Sequence, residues 1–296
     1  MIAEAPIGPT RYRERMAQTT ATTRIRPMLA ADIAQATQVI LDGGWSDRSV
    51  FFEWAVEHPT CFPLVAEADG RVVGTGVATV NGRVGWVGAI FVAEDRRRSG
   101  LGSALSKAVI DDLEQRGCTT QVLIATEEGR PIYERLGFRL QTRYVLMQAP
   151  DDVGPSEEGV IRPYDADDFG AIARLDRAAT GEDRAAILRS FANPVSCRVA
   201  VRPDGSIGGF VVRASWGGRA LVATEPDLAL ALLDERRRAA SDHRITIGVL
   251  EANTDGRARL AEAGWVERTG GPRLVRGEPL IWRPDWIYGQ FTGALG

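Results

Sequence analysis

One pattern occurs twice in this chain, and the repeat limits its architecture more than any single motif. Ile25-Arg26-Pro27 returns 136 positions later as Ile161-Arg162-Pro163, and Asp32-Ile33 returns at the same spacing as Asp168-Phe169. Further on, Ala125, Gly129, Arg130 and Gly137 have counterparts 127 positions later in Ala252, Gly256, Arg257 and Gly264. Short matches arise by chance, but two blocks whose spacing differs by nine are what a duplication followed by a nine-residue deletion leaves behind. The length of 296 residues gives each copy roughly 100–150 residues, enough for a core of its own.

The first copy reads as strand, two helices, three strands, helix, strand, helix, strand. A short strand over 24–28 precedes a helix over 31–41, whose apolar residues Ile33, Ala36, Val39 and Ile40 share one face before Asp42-Gly43-Gly44 ends it. A second helix over 48–57 stops at His58-Pro59. Strands over 62–68, 72–80 and 84–92 follow, separated by the hairpin pairs Asp69-Gly70 and Asn81-Gly82. A helix to Arg116, a strand over 121–125, a helix over 130–136 and a strand over 138–148 complete the copy. Residues 1–22 have no clear period and read as a loosely held arm, and 151–158, with Gly154 and Pro155 among carboxylates, reads as a linker. The expected division is therefore an arm at 1–22, a first domain at 23–150, the linker, and a second domain at 159–296.

Between the fourth strand, over 84–92, and the next helix lies Arg97-Arg98-Ser99-Gly100-Leu101-Gly102. Two glycines beside arginines at a helix start suit a phosphate or pyrophosphate, because bare backbone N–H groups and the helix dipole both favour an anion there. A tight turn carrying solvated arginines fits the same letters. The second copy supplies the contrast: after Leu221-Val222-Ala223-Thr224 it runs through Glu225-Pro226-Asp227-Leu228 straight into a helix, so the deletion falls on this loop.

Composition excludes several classes. A formal net charge of −3 and a pI near 5.6 argue against a dedicated nucleic-acid binder. Three scattered cysteines, Cys61, Cys118 and Cys197, point to buried thiols in a reducing compartment, and His58 and His243 lack the neighbours of a metal site. With no apolar leader and no membrane-spanning run, a cytoplasmic protein without metal and without membrane contact is expected.

A strand, Arg-x-x-Gly-x-Gly, a helix, an apolar strand and a helix ending Tyr133-Glu134-Arg135-Leu136-Gly137-Phe138 together resemble the GNAT acyltransferase superfamily. The resemblance implies an α+β (mixed α/β) fold of two GNAT-like domains, each a mixed, mostly antiparallel sheet flanked by helices. It implies acetyl-CoA as acyl donor, with the pyrophosphate held by Arg97, Arg98, Ser99, Gly100, Leu101, Gly102 and Ser103. Backbone groups of Phe91 and Val92 would meet the pantetheine arm, and Tyr133 would give a proton to the departing thiolate. A core tyrosine on an amphipathic helix is the other reading of Tyr133. Many family members carry asparagine where this chain has Thr126, a further coenzyme contact; Ala125-Thr126-Glu127-Glu128-Gly129-Arg130 resembles a subgroup that lacks it. The second copy keeps Asn253 but has Leu260 in place of Tyr133, so the first copy alone should be catalytic.

No carboxylate lies within 84–92, so the general base is sought among Glu53, Asp42, Glu94 or ordered water, each carboxylate also reading as solvated surface. Asp176, Asp183 and Arg184 either cap a helix with surface ion pairs or line a pocket for a cationic amine. The aromatic tail with Trp282, Trp286, Tyr288 and Phe291 reads as a closing core element. The expected activity is transfer of acetyl to the amine of a small molecule or peptide, by a monomer built as an internal pseudo-dimer or by a homodimer. A non-catalytic acyl-CoA-binding sensor is the alternative.

Overall fold

The computed structural model describes residues 23–153, 160–238 and 245–296. The arm at 1–22, His243 and most of the linker lie outside these residues. The first half contains β1 (Arg24–Pro27), α1 (Ile33–Asp42), α2 (Ser49–Glu57), β2 (Cys61–Ala68), β3 (Arg71–Asn81), β4 (Val84–Val92), α3 (Leu101–Gln115), β5 (Thr120–Ile124), α4 (Arg130–Arg135) and β6 (Arg139–Gln148). The β2–β3 and β3–β4 turns use Asp69 and Gly70 at φ 54° and 72° and Gly82 at φ 70°, the left-handed geometry that a tight hairpin needs.

The second half repeats the order as β7 (Ile161–Pro163), α5 (Phe169–Thr180), α6 (Ala185–Phe191), β8 (Cys197–Val201), β9 (Ile207–Arg213), β10 (Arg219–Ala223), α7 (Pro226–Arg238), β11 (Thr246–Leu250), α8 (Thr254–Glu262) and β12 (Val266–Gly277), then adds β13 (Ile287–Gly289). The duplicated letters make duplicated contacts. Arg26 donates to both Asp32 oxygens at 2.6 and 2.9 Å, and Arg162 does the same to Asp168 at 2.7 and 2.8 Å. Thr126 Oγ1 accepts from the Gly129 N–H at 3.0 Å, while Asn253 Oδ1 accepts from Gly256 at 2.9 Å, so threonine and asparagine turn the chain into α4 and α8 alike.

The strands form two sheets, in the orders β1-β2-β3-β4-β5-β12-β6-β11 and β13-β10-β9-β8-β7; the first is mixed through its parallel β4–β5 pair, whereas the second is antiparallel throughout, because β13 rather than a parallel strand pairs with β10. The sheets do not divide at the linker. β12, from the second half, pairs antiparallel with β5 over 273–277 and with β6 on its other side, and β6 in turn pairs with β11. The second half thus extends the first half's sheet, and the edges of β5 and β6 that would otherwise be open are covered.

A buried polar knot closes the seam. Glu182 Oε2 accepts from Asn81 Nδ2 at 2.8 Å and from Trp86 Nε1 at 2.9 Å, and Arg273 of β12 approaches Glu182 Oε1 at 3.8 Å. Burial pushes the Glu182 carboxyl above its ordinary value, against the opposing pull of Arg184, Arg273 and its two donors. A carboxyl raised in the folded state contributes fully below the ordinary glutamate value and loses that contribution as pH rises through the raised one. Glu182→Gln is therefore expected to gain stability relative to the wild type as pH climbs above the ordinary glutamate value of 4.5 and through the raised one. Urea titrations that gave one constant difference across this range would contradict the assignment.

Candidate active site

The site begins where two parallel strands part. β4 and β5 pair at Val84–Thr120, Gly85–Gln121 and Trp86–Val122, and no further. Beyond Trp86 the β5-facing backbone of β4 has no strand partner, which leaves polar groups on a cleft wall. A register shift opposite Thr75–Val77 bulges this same stretch. Left-handed backbone strain marks the bulge at Ala89, whose φ of 50° costs about 1–2 kcal/mol for a residue with a Cβ. The Thr75 hydroxyl holds it by donating to the Ala89 carbonyl at 2.7 Å.

At the end of β4 the arginine–glycine loop turns the chain into α3. Arg97 Nε donates to the Val92 carbonyl at 3.2 Å, and Arg98 and Gly100 adopt φ of 58° and 87°. Gly100 is the residue before the helix, and no side chain caps it. The first-turn N–H groups of Leu101, Gly102 and Ser103 consequently have no partner within the helix, an arrangement that attracts an anion.

These elements border a cleft of about 610 Å³. Among the residues singled out from the sequence, Phe91, Val92, Arg97, Arg98, Gly100, Gly102, Ser103, Thr126 and Tyr133 line it. Ser99 does not, because its hydroxyl donates back to the Arg96 carbonyl at 2.7 Å, and Leu101 is buried below with Ala66, Val73 and Leu105. Tyr133 sits on α4 with its ring edge-on to Phe138, centroids 6.0 Å apart. Burial pushes its phenol above the ordinary value, opposed by a hydrogen bond with the Ser106 hydroxyl, so it is protonated at neutral pH.

The sequence-based candidates for a base are not on this wall. Asp42 and Glu94 line a separate cavity beside Gln35, and Glu53 is exposed and does not line the cleft. The carboxylate that does line it is Glu128, beside Thr126. Sequence reasoning also missed Trp45, Arg48 and the tail residues Thr292, Gly293 and Ala294. The tail fits against Gly88, where an added Cβ would lie 2.3 Å from the Ala294 Cα, so only glycine admits it. The aromatic tail is a closing element: Phe291, Ala294 and Leu295 are buried, and Trp282 covers the Arg273 guanidinium at 4.5 Å. Cys61 and Cys197 are buried, with thiols pushed up to about 12 by desolvation, which leaves them inert. Among the described residues, no group of three or more His, Cys, Asp and Glu side chains is placed to hold a metal ion.

The corresponding region of the second half is closed. Only Thr224 and Glu225 separate β10 from α7, and Arg202 donates to Glu225 at 2.7 Å, so the chain's own carboxylate stands at that helix start. β13 pairs antiparallel with β10 through Leu221–Gly289 and Val222–Ile287, on the side that in β4 stays open. Leu260, 1 % exposed, fills the position of Tyr133.

A sheet with one pair of parted parallel strands, an uncapped helix start and a tyrosine at the parting is the arrangement that the resemblance to the GNAT acyltransferases leads one to expect. Family comparison agrees: residues 30–138 match the acetyltransferase (GNAT) family, and residues 172–289 match an acetyltransferase (GNAT) domain. The chain belongs to the GNAT N-acetyltransferases and is a transferase built from two such domains in tandem. It is similar to the uncharacterized N-acetyltransferase YitH of Bacillus subtilis (strain 168), 23% identical over 222 residues that cover 73% of this chain and 78% of that one. In fold it is similar to a candidate acetyltransferase from Pyrococcus horikoshii, with a TM-score of 0.79 and 21% identity over 93% of this chain and 96% of that one. A tandem GNAT protein from the clavulanic acid biosynthesis pathway gives a TM-score of 0.62 and 15% identity, covering 87% of this chain and 99% of that one.

Proposed function

We propose that the protein transfers acetyl from acetyl-CoA to a primary amine, with the reaction in the first half, 23–150. The observation that carries this reading is that an uncapped helix start and a protonated tyrosine border one cleft, while at the equivalent positions the second half has a shortened loop with Glu225 and the buried Leu260. The pyrophosphate fits the free N–H groups of Leu101, Gly102 and Ser103 with Arg97 and Arg98 beside them, and the pantetheine arm fits the unpaired backbone of β4 at Phe91 and Val92. The β4 backbone near the Ala89 bulge faces the oxyanion that forms when the neutral amine attacks the thioester carbon. As the carbon–sulfur bond breaks, Tyr133 gives its proton to the thiolate, and the amine's proton leaves through Glu128 or water at the cleft mouth. The second half, 159–296, contributes support and acceptor shaping: it supplies β12 to the sheet and Thr292–Ala294 to the cleft. The acceptor class is an amine-bearing small molecule or peptide. No described helix is long and apolar enough to cross a membrane.

Release of coenzyme A thiol from acetyl-CoA across a broad amine panel tests the reading. Gly100→Val is expected to raise KM for acetyl-CoA by about tenfold or more, since valine is strained at φ 87° and covers the anion site. Tight binding of acetyl-CoA with no thiol release from any amine would replace the enzyme with an acyl-CoA sensor.

A further inference from the structure

A second cleft, about 570 Å³, shares Trp45, Ile124, Ala125 and Thr126 with the first and draws its far wall from the other half of the chain, including Arg219 and Gln290. The charges around that wall are unusual. Arg219 stands directly across the β9–β10 pair from Arg213, and like charges so placed destabilise a sheet. Arg236 of α7 joins them. Desolvation pushes Arg219 down to about 10 and Arg236 down to about 9, and among the described residues the charges that act on them are those of neighbouring arginines, which push the same way. Elsewhere this chain gives its arginines carboxylates, as with Arg26, Arg162 and Arg184, but among the described residues none pairs with Arg213, Arg219 or Arg236. Glu127, the carboxylate on the cleft wall, is already engaged by Arg143.

The polar atoms left over point to the same conclusion. Arg219 donates through Nη2 to the Gly217 carbonyl at 2.8 Å, while its Nε is buried with no partner. Arg236 Nη1 and Gln290 Oε1 are likewise buried and unpaired. Of these three side chains, Arg219 and Gln290 line the cleft and Arg236 does not, so the polar groups left incompletely paired at its wall belong to one cation and one amide.

We propose that this seam cleft recognises an acceptor that carries an anionic group, a carboxylate or a phosphate, with Arg219 as its direct contact and Arg213 and Arg236 supplying the surrounding positive field. The acceptor's amine lies toward Trp45 and Thr126, where the two clefts meet. The word acceptor rests on the acetyltransferase reading above; the anion site stands on its own geometry. A cationic acceptor drawn to Asp176 and Asp183 is set aside, because neither residue lines either cleft.

The test uses the full chain saturated with coenzyme A, so that the loop before α3 is occupied. Glutarate and inorganic phosphate are titrated by calorimetry into the wild type and Arg219→Met. One of the two is expected to bind, and the variant is expected to lose about tenfold to a hundredfold in affinity, the factor for one charged hydrogen-bonded contact. Turnover is then compared for β-alanine against β-alaninamide and for phosphoethanolamine against ethanolamine. The anionic member of the favoured pair should have the higher kcat/KM, and Arg219→Met should erase the difference; which pair responds separates carboxylate from phosphate. Anion binding that depends on Arg219 without any turnover would leave this site standing and overturn the acetyltransferase reading. Turnover with no anionic preference and no Arg219-dependent binding would overturn this site and leave the enzyme standing. Unchanged coenzyme A affinity verifies that Arg219→Met is folded; if it does not fold, Arg213→Gln at its exposed position makes the same comparison, with an expected loss of about threefold.

Discussion

Tyr133→Phe is expected to lower kcat by about 10²–10⁴-fold, the range for loss of a positioned general acid, while acetyl-CoA affinity stays within about threefold of the wild type. The substitution removes one oxygen and leaves the ring that meets Phe138 edge-on, so the cleft wall keeps its shape. Burial keeps the phenol protonated at neutral pH, and loss of its proton therefore removes the group that neutralises the thiolate. Single-turnover kinetics beside direct coenzyme binding separate the two effects. Equal losses in both, or a kcat within about threefold of wild type, would make Tyr133 a core residue and nothing more.

The largest effect on stability is expected from Asp176→Ala, at about 3–5 kcal/mol measured as a shift of the urea unfolding midpoint. Asp176 and Arg184 are 1 % and 2 % exposed, and Arg184 donates to the two carboxylate oxygens at 3.0 and 2.5 Å. Desolvation works to lower the Arg184 guanidinium, but the charge and hydrogen bonds of Asp176 outweigh it and hold it above its ordinary value. Without Asp176 that charge stays buried and loses both of its carboxylate hydrogen bonds, with Glu182 left as the nearby opposing group. Asp183→Ala, one residue from Arg184, is expected to change stability by less than about 1 kcal/mol, because its partner Arg177 and Asp183 itself are exposed. If Asp176→Ala unfolded with the wild type, the pair would have no structural role.

The contrast between these two aspartates shows what a linear reading can and cannot reach. From the letters, Asp176, Asp183 and Arg184 are equivalent charges near a glycine turn, fit for surface ion pairs. In the fold, Gly181 at φ 72° bends the chain so that the Asp183 N–H meets the Asn81 carbonyl at 3.2 Å, which carries Arg184 inward onto Asp176 and leaves Asp183 outside. The helices and hairpins of the first half were legible because apolar period and turn chemistry are local. The loop from Arg97 to Gly102 and the tyrosine of α4 were legible for the same reason, helped by a second copy that lacks both. The Ala89 bulge was not, since alanine has no preference for a positive φ and its conformation there is imposed by the neighbouring strand. Nor was the arginine cluster, whose members Arg213, Arg219 and Arg236 come together only through strand register and helix placement.

By itself the sequence determined that the chain holds two copies of one αβ unit, that one copy retains a glycine-marked helix start with a tyrosine downstream, and that the other has lost both. These are matters of residue identity and spacing, which act over one turn or one helix. The tertiary structure alone decided that β12 enters the first half's sheet between β5 and β6, that β13 seals the second half where β4 and β5 stay apart, and that the chain's tail and Arg219 become walls of the clefts. Backbone hydrogen bonds are nearly the same for every residue, so a strand edge does not name its partner; the choice falls to whichever arrangement buries both halves' apolar faces at once.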